Sequence, residues 1–202
     1  MNLKEWKKEN IMKFDATIRG IVPMLHHRFS EEKLTQVKSP RSGDKKLSDE
    51  QKRETASQYL HTDNKGRVVQ PSAHIEGAMI KAATDFKLSG AGKKTYKDVV
   101  KAGVFVFPEM IVHKNQDWTV DSRSVVNQTT RGRSMSYRPR LEDWELSFQI
   151  EVTDPRADAE AIRGILENAG AYKGIGSYRP RFGRFEVTQF IPVTESSKKK
   201  VK

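Results

Sequence analysis

The chain contains no cysteine, and this absence excludes several kinds of chemistry. Without a thiol it forms no disulfide, carries no thiolate nucleophile and offers no cysteine-ligated zinc site. It also lacks any stretch of about 18 apolar residues, the length that a membrane-spanning helix needs. Residues 1–8 are charged and lack the apolar run of a secretory signal. We therefore expect a cytoplasmic protein without a membrane partner.

Recognised metal and cofactor motifs are missing as well. The sequence has no HExxH pair, no calcium-binding loop and no Walker loop. Gly174, Gly176 and Gly183 do not form a dinucleotide fingerprint, because they precede a predicted strand and not a helix. The sequence therefore predicts no metal and no cofactor.

Positive charge, in contrast, is in excess. The 202 residues include 37 Lys and Arg against 26 Asp and Glu, which gives a formal net charge of +11. Four lysines fall within a C-terminal tail (193–202) that we expect to be disordered, and the rest of the chain is still basic. Such an excess suits binding to nucleic acid, where cations displace the counterions of the phosphate backbone, and it also suits an anionic membrane surface.

The periods of apolar residues predict one α+β domain. Phe14, Ala16 and Ile18 alternate with polar residues, which predicts a strand with one buried face. Three further strands are predicted within 104–112, 144–152 and 185–191, and two helices near Ser72 and Asp154. The order strand, helix, strand, strand, helix, strand is that of the ferredoxin-like fold, an antiparallel sheet with its helices on one face. The large residues expected in the core include Trp144, Phe148, Ile162 and Leu166.

Local signals predict where the helices begin and end. Ser72 and Asp154 are expected to be N-caps, and Gly170 is expected to end the second helix. Ser48 and Gln51 have the spacing of a capping box, which predicts a further short helix.

Two polar stretches interrupt this order and are interpreted as basic insertions. One covers about 28–66, and the other covers about 113–142, where weak alternation predicts a β-hairpin or a protruding loop. The expected organisation is an N-terminal extension (1–12) and one ferredoxin-like domain (13–192) that contains both insertions, followed by the tail.

Two segments of the chain repeat almost the same residues. Residues 136–140 and 177–181 both read Ser-Tyr-Arg-Pro-Arg. Arginine pairs with phosphate in bidentate fashion, and tyrosine rings stack on exposed bases. The glycines around the second segment allow a backbone to approach a ligand closely. A single-stranded nucleic acid is the ligand that would use all of these groups.

We predict that nucleic acid contacts both segments and the basic residues around the first one. The predicted contacts are Arg123, Arg131, Arg133, Tyr137, Arg138, Arg140, Gly174, Gly176, Tyr178, Arg179, Arg181, Gly183 and Arg184. A plainer interpretation stays open, in which the glycines only form a turn and the arginines lie on a solvated loop. Each tyrosine could likewise pack on the nearby proline and not on a base.

Histidines at two further places in the sequence are candidates for catalysis or for phosphate binding. His26 and His27 follow the first strand and are weak catalytic candidates, because histidine is the commonest general acid–base, yet the sequence shows no partner set for them. His74 and Lys81 lie on the helix predicted at Ser72, where a helix N-terminus could receive a phosphate. A plain cap with exposed neighbours is the alternative.

The chain resembles the RAMP superfamily of CRISPR-associated proteins, and in particular the backbone subunit that coats the guide RNA. The resemblance rests on the ferredoxin-like order, on a basic insertion where these subunits carry a hairpin, and on a C-terminal glycine-rich loop. That loop reads Gly174-Ile175-Gly176, five intervening residues, then Phe182-Gly183-Arg184-Phe185. The family pattern has a final glycine where this chain has Arg184.

The resemblance implies a non-enzymatic protein that binds single-stranded guide RNA and assembles side by side with copies of itself and with other effector subunits. Two alternatives remain open. One is a metal-independent crRNA-processing endoribonuclease that uses His26 or His27, and the other is a phage single-stranded DNA-binding protein.

Overall fold

Nine strands and four α-helices are found in the computed structural model, which describes residues 11–29, 47–126 and 131–193. The strands are β1 (Met12–Gly20), β2 (Met24–Leu25), β3 (Val69–Pro71), β4 (Val104–Phe107), β5 (Met110–Val112), β6 (Thr119–Val126), β7 (Arg133–Leu141), β8 (Glu145–Val152) and β9 (Phe185–Pro192). The helices are α1 (Asp49–Ser57), α2 (Ser72–Ala82), α3 (Lys97–Gly103) and α4 (Ala159–Asn168). A 3-10 turn (Ala83–Asp85) follows α2, and a π turn (Ala169–Lys173) follows α4.

The central sheet contains four antiparallel strands in the order β4, β8, β1, β9. Strand β1 pairs with β8 in continuous register, from Met12 opposite Val152 to Arg19 opposite Glu145. Along the chain the core elements follow the order β1, α2, β4, β8, α4, β9. This is the βαββαβ order, so the predicted ferredoxin-like fold is confirmed.

The core lies between one face of this sheet and helices α2 and α4. Phe14, Ala16 and Ile18 are at most 3% exposed, which confirms the alternation predicted for β1. The helices add the buried residues Ile75 and Met79 from α2 and Ile165 from α4. The predicted core residues are all buried: Trp144, Phe148, Ile162 and Leu166.

The opposite face of the sheet has paired charged groups along β1 and β8, and the exposed rings of Phe105 and Phe107 along β4. Lys13 forms an ion pair with Glu151, and Arg19 forms one with Glu145. Exposed pairs of this kind contribute little to stability. They do mean that these two cations are already matched by carboxylates.

The long strand predicted before the hairpin is divided into β4 and β5 at Pro108. Strand β4 forms one edge of the central sheet, whereas β5 leaves the sheet and pairs with β3. The outward N–H groups of β4 are occupied, since Val104 N donates to Val100 O and Val106 N donates to Glu76 Oε1 at 2.8 Å. Pro108 has no N–H. Helices α2 and α3 therefore supply the acceptors along this edge.

Helices α1 and α2 begin in different ways. The predicted capping box of α1 is present, since Gln51 N donates to Ser48 Oγ at 3.3 Å and Ser48 N donates to Gln51 Oε1 at 3.0 Å. The cap predicted at Ser72 is wrong: Ser72 is the first helical residue, and its N–H donates to Glu109 O at 2.8 Å. Because β3 leads directly into α2, Pro71 occupies the cap position.

Helix α4 starts and ends later than predicted. Its N-cap is Asp158, which accepts a hydrogen bond from Ala161 N at 2.7 Å, and not Asp154, which begins a separate turn. Gly170 does not end the helix, because the π turn carries the chain on to Gly174, where φ is +67°. Gly170 is required for packing, since a Cβ there would collide with Phe185.

Strand β9 contains a bulge that simple alternation does not predict. Its register against β1 shifts between Thr17 and Ile18, which leaves Thr188 as the extra residue. Alternation from Val187 would place Phe190 on the outer face of the sheet. The bulge returns Phe190 to the core face, where its ring stacks on Phe14 at a centroid distance of 4.5 Å.

The second predicted insertion contains a hairpin. Strands β6 and β7 pair from Thr119 opposite Arg140 to Val126 opposite Arg133. Helix α1 packs against this hairpin, and the guanidinium carbon of Arg53 lies 4.1 Å from the centroid of the Trp118 ring. Most of the predicted N-terminal extension and tail, and residues 30–46 of the first insertion, lie outside the described residues. In the described part of the chain, no helix is long and apolar enough to cross a membrane.

Candidate nucleic-acid interface

The two Ser-Tyr-Arg-Pro-Arg segments lie on either side of the short strand β2. On one side, Leu25 pairs with Arg140 of β7. On the other side, the carbonyl of Leu25 accepts a hydrogen bond from Ser177 N at 2.8 Å, and Gly183 N donates to Pro23 O at 2.9 Å. The glycine loop (residues 174–183) is therefore docked on β2 by its backbone. A two-residue strand thus holds together two segments that are about forty residues apart in the sequence.

Side chains of the two segments also contact each other directly. Antiparallel pairing places Arg123 and Arg138 on one face of the hairpin, because Arg123 faces Ser136 and side chains alternate along each strand. Arg138 Nη1 donates a hydrogen bond to Ser177 Oγ. Its guanidinium carbon lies 4.6 Å from the centroid of the Tyr178 ring. The structure thus brings the two predicted segments together on one surface.

A second arginine of the hairpin stacks on the same aromatic residues. The guanidinium carbon of Arg123 lies 5.0 Å from the Tyr178 centroid and 4.7 Å from the Phe182 centroid. Arg140 lies 6.0 Å from the Phe182 centroid. We call Arg123, Arg138, Tyr178 and Phe182 the arginine cluster. Cation–π contacts of this kind are worth about 0.5–1 kcal/mol at exposed sites.

Carboxylates neutralise some of the predicted arginines but not others. Asp121 binds Arg123 through two hydrogen bonds of 2.5 Å, and this hydrogen bonding raises the pKa of Arg123. Arg140 binds Glu142 at 2.6 Å and lies 3.8 Å from Asp121. Arg138 has no carboxylate partner among the described residues. Arg138 is therefore the hairpin arginine of this cluster whose charge stays available to an external anion.

The two arginines of the glycine loop and the adjoining Arg184 are exposed or half-buried. Arg179 Nη1 donates to Gly176 O at 3.0 Å, and Arg181 is exposed. Arg184 is half-buried, and its carbonyl accepts a hydrogen bond from Ile21 N at 3.0 Å. In the part of the chain that the structure describes, these three side chains form no ion pair with a carboxylate. Their charges add to that of Arg138.

Two of the loop glycines are required by close contacts within the protein. Gly183 has φ of +71°, and a Cβ there would overlap the carbonyl oxygen of Ile175. Gly176 has φ of +80°, and a Cβ there would lie 2.7 Å from Leu25 O. Both positions therefore need glycine for backbone conformation and for docking on β2. The predicted role of these glycines in approaching a ligand stays a prediction.

Three predicted contacts lie away from the arginine cluster. Arg133 is five residues from Arg138 along β7, or roughly 17 Å, and Arg131 lies beyond it. Both adjoin residues 127–130, which are outside the described part of the hairpin. Tyr137 projects from the opposite face of β7, on the side where α1 packs. The arginine cluster therefore contains one tyrosine of the two repeated segments.

The two catalytic candidates differ in their accessibility. His27 is exposed, whereas His26 is 1% exposed, and its Nδ1 accepts a hydrogen bond from His61 N at 3.3 Å. Burial holds the pKa of His26 well below its usual value, and the neighbouring His113, His61 and His74 lower it further. A buried ring with one nitrogen engaged by the backbone is poorly placed to exchange protons with a substrate.

Sequence reasoning missed that four of the five histidines form one cluster. His26 lies at centroid distances of 5.2 Å from His61 and 5.5 Å from His113, and His61 lies 5.4 Å from His74. Burial lowers the pKa of His113 to about 4, with a further contribution from His61. Among the residues that the structure describes, no group of three or more His, Asp or Glu side chains could hold a metal ion.

Comparison with known proteins gives a match of fold. No protein-family model matches the chain, and no curated protein matches it. A chain in a cryo-EM structure of the Type III-B Cmr-beta bound to cognate target RNA is similar, with a TM-score of 0.56 and 12% sequence identity. The match covers 95% of this chain and 64% of that chain, so this protein spans just under two thirds of the length of its neighbour. The likeness supports the ferredoxin-like fold.

Proposed function

We propose that this protein is an RNA-binding subunit of a CRISPR-type ribonucleoprotein effector, and that it coats single-stranded guide RNA. The observation that carries the proposal is the contact of Arg138 with Ser177 and Tyr178, which joins the two predicted segments into one cationic surface. The likeness in fold to a chain of an RNA-bound Cmr-beta structure supports this choice. Copies of the protein and other effector subunits are its proposed partners.

Phosphate contacts supply the binding energy in this proposal. Arg138, Arg179, Arg181 and Arg184 have no carboxylate partner in the described ranges, so their guanidinium groups can pair with successive phosphates. Tyr178 is 37% exposed and presents ring surface on which a base can stack. These contacts do not read base edges, so we expect binding without sequence preference. No catalytic step and no cofactor is involved.

One observation favours the alternative of an endoribonuclease. A cleft beside the glycine loop is lined by His26, His27, His61 and His74, together with the cations Lys81 and Arg179. Because His26 is buried, the other histidines of the cleft are the better catalytic candidates in this alternative. Incubation with an end-labelled RNA tests it, since cleavage that is lost in His27→Ala or His74→Ala would replace the binding-only proposal.

Fluorescence anisotropy of a labelled 20-nucleotide RNA, measured at several salt concentrations, tests the proposal. Four phosphate contacts predict a slope of about −2.8 for log Kobs against log salt, at roughly −0.7 for each contact on a single strand. Arg163→Gln on α4 is a control, because Arg163 already pairs with Glu167 and belongs to neither repeated segment, and it should leave the slope unchanged. A slope near zero contradicts the proposal. Competition with DNA of the same sequence tests the alternative of a phage single-stranded DNA-binding protein, which predicts that DNA displaces the labelled RNA more effectively than unlabelled RNA does.

A further inference from the structure

A cationic cleft opens on the side of Tyr178 that faces helix α2. It has a volume of about 510 Å³, and we call it the histidine cleft. Its lining residues are His26, His27, His61, His74, Lys81, Gly176, Ser177, Tyr178 and Arg179. Among the residues that the structure describes, neither aspartate nor glutamate lines it. Tyr178 and Ser177 belong both to this cleft and to the contacts of Arg138, so the cleft adjoins the arginine cluster.

Three of the nitrogen-bearing side chains that line the cleft come from helix α2 and from the glycine loop. His74 and Lys81 are seven residues apart on α2, which places them on the same face of the helix, two turns apart. Arg179 comes from the glycine loop across the cleft. Burial lowers the pKa of His74, and the nearby charge of Arg179 lowers it further. The exposed Lys81 forms no ion pair with a carboxylate in the described part of the chain.

A buried glutamine sets the orientation of His74. Gln70 is fully buried, and its Nε2 lies 2.5 Å from His74 Nδ1. When the amide nitrogen of Gln70 donates to Nδ1, the neutral ring carries its proton on Nε2. The side chain of Gln70 also favours the charged form of His26 behind it. Gln70 therefore holds His74 from the protein interior, and with this orientation of the amide the Nε2–H of His74 is a donor for a ligand.

We propose that the histidine cleft binds the phosphate group of a nucleotide, held by His74 Nε2–H, Lys81 and Arg179. This inference rests on the proposed function, because the phosphate is assigned to the RNA that crosses the arginine cluster. A phosphate suits the site because its several acceptor oxygens match three separate donors. The volume is in the range of small-ligand pockets, and Tyr178 at the wall can stack on the base.

Nuclear magnetic resonance of the histidine C–H protons in the full chain tests the site. The probes are uridine 5′-monophosphate and an unlabelled 20-nucleotide RNA, and His74→Gln identifies the His74 signal. Bound phosphate is expected to shift this signal and to raise the pKa of His74, because an anion favours the charged ring. A shift with the mononucleotide assigns the site to a terminal or free phosphate, and a shift with RNA alone assigns it to a phosphodiester. No shift with either probe overturns the proposal.

Mutation of the cleft provides an independent readout. Lys81→Ala is expected to weaken binding of the active probe about fivefold or more, since a charge-assisted contact is lost. Lys101→Ala is the matched control, because it removes an exposed lysine from α3, and it should leave affinity unchanged. Thermal unfolding of each variant confirms that it is folded. Equal affinities for Lys81→Ala and the wild type contradict the proposal.

The two proposals can fail separately. If RNA binds with the expected salt dependence but the His74 signal and the Lys81→Ala affinity do not change, the cleft proposal fails and the proposed function stands. If the mononucleotide binds in the cleft but RNA does not bind, the proposed function fails and the phosphate site stands. Cleavage of RNA that disappears in His74→Gln would show that the cleft is catalytic and would overturn a purely binding role.

Discussion

Arg138 and Tyr178 stand 40 residues apart in the sequence, yet the guanidinium carbon of one lies 4.6 Å from the ring centroid of the other. Each residue comes from one of the two Ser-Tyr-Arg-Pro-Arg segments. Because Tyr178 also lines the histidine cleft, this contact connects the hairpin, the glycine loop and the cleft. The proposed path of an RNA strand therefore crosses all three, and the contribution of each residue to the binding free energy can be measured by mutation.

Removal of Arg138 should change the salt dependence of RNA binding more than removal of Arg123. Arg138 has no carboxylate partner in the described ranges, whereas Asp121 holds Arg123 through two hydrogen bonds. We expect Arg138→Gln to reduce the magnitude of the slope of log Kobs against log salt by about 0.7, the value of one phosphate contact. Arg123→Gln should reduce it by clearly less. Equal slopes for the two variants would mean that the ion pair with Asp121 opens on binding.

The two tyrosines of the repeated segments should contribute unequally. Tyr178 lies in the arginine cluster, and Tyr137 lies on the other face of the hairpin, near α1. Tyr178→Ala is expected to weaken RNA binding by about 1–3 kcal/mol, which is about five- to 150-fold, if one base stacks on its ring. Tyr137→Ala should weaken it less than twofold. Anisotropy titrations at one salt concentration measure both, and the reverse ranking would move the interface to the α1 side.

Gly183 should tolerate substitution far less well than Gly92. Both glycines have positive φ, +71° and +65°, so alanine is strained at either position. A Cβ at Gly183 would overlap Ile175 O, whereas nothing lies within 4 Å of a Cβ at Gly92. We expect Gly92→Ala to lower the free energy of unfolding by about 1 kcal/mol and Gly183→Ala to lower it by about 3 kcal/mol or more. Urea denaturation followed by circular dichroism compares them, and similar losses would show that the loop can move away from β2.

Stability should decrease on mild acidification because of the buried histidines. Burial lowers the pKa of His113 to about 4 and holds the pKa of His26 well below its usual value. An unfolded histidine takes up a proton near pH 6.5, so between pH 7 and pH 5 the unfolded state binds more protons. The free energy of unfolding should therefore fall over this range, by roughly 2 kcal/mol for each histidine that stays neutral in the fold.

The same experiment has an internal control in a variant. His113→Phe removes one of the histidines whose pKa burial lowers, while an aromatic ring still fills the space. Urea denaturation at pH 7, 6 and 5 should show that the pH dependence of His113→Phe is smaller by roughly 2 kcal/mol, the contribution of one such histidine. A wild-type protein with equal stability at pH 7 and pH 5 would show that these rings are protonated in the folded state.

Much of the central sheet could be predicted because its strands are half-buried. Phe14, Ala16 and Ile18 alternate with polar residues since one face meets the helices and the other meets water. Local alternation cannot predict the bulge at Thr188, because the extra residue is tolerated only through pairing with β1. The prediction of Asp154 as the N-cap of α4 was also wrong, because Asp154 begins a separate turn that precedes the helix.

The candidate site was predictable in part for a different reason. The repeated Ser-Tyr-Arg-Pro-Arg sequence predicts Arg138 and Tyr178 as nucleic-acid contacts, and the tertiary structure places them next to each other. It gave no sign that Asp121 would neutralise Arg123. The histidine cluster was not predictable, because His26, His61, His74 and His113 span nearly ninety residues with no shared motif. Only tertiary packing brings their rings to within about 5.5 Å of a neighbour.

The closed edge of β4 limits how neighbouring molecules can associate. Val104 and Val106 donate their outward N–H groups within the chain, and Pro108 has none to donate. A strand from another molecule would therefore find no hydrogen-bond donor there, and β-augmentation at this edge is blocked. The other edge strand of the central sheet is β9, and pairing between two β9 strands would join only two molecules. A continuous sheet through many molecules needs both edges, so the spacing of subunits along an RNA would follow the nucleic acid, which keeps such an array distinct from a fibril.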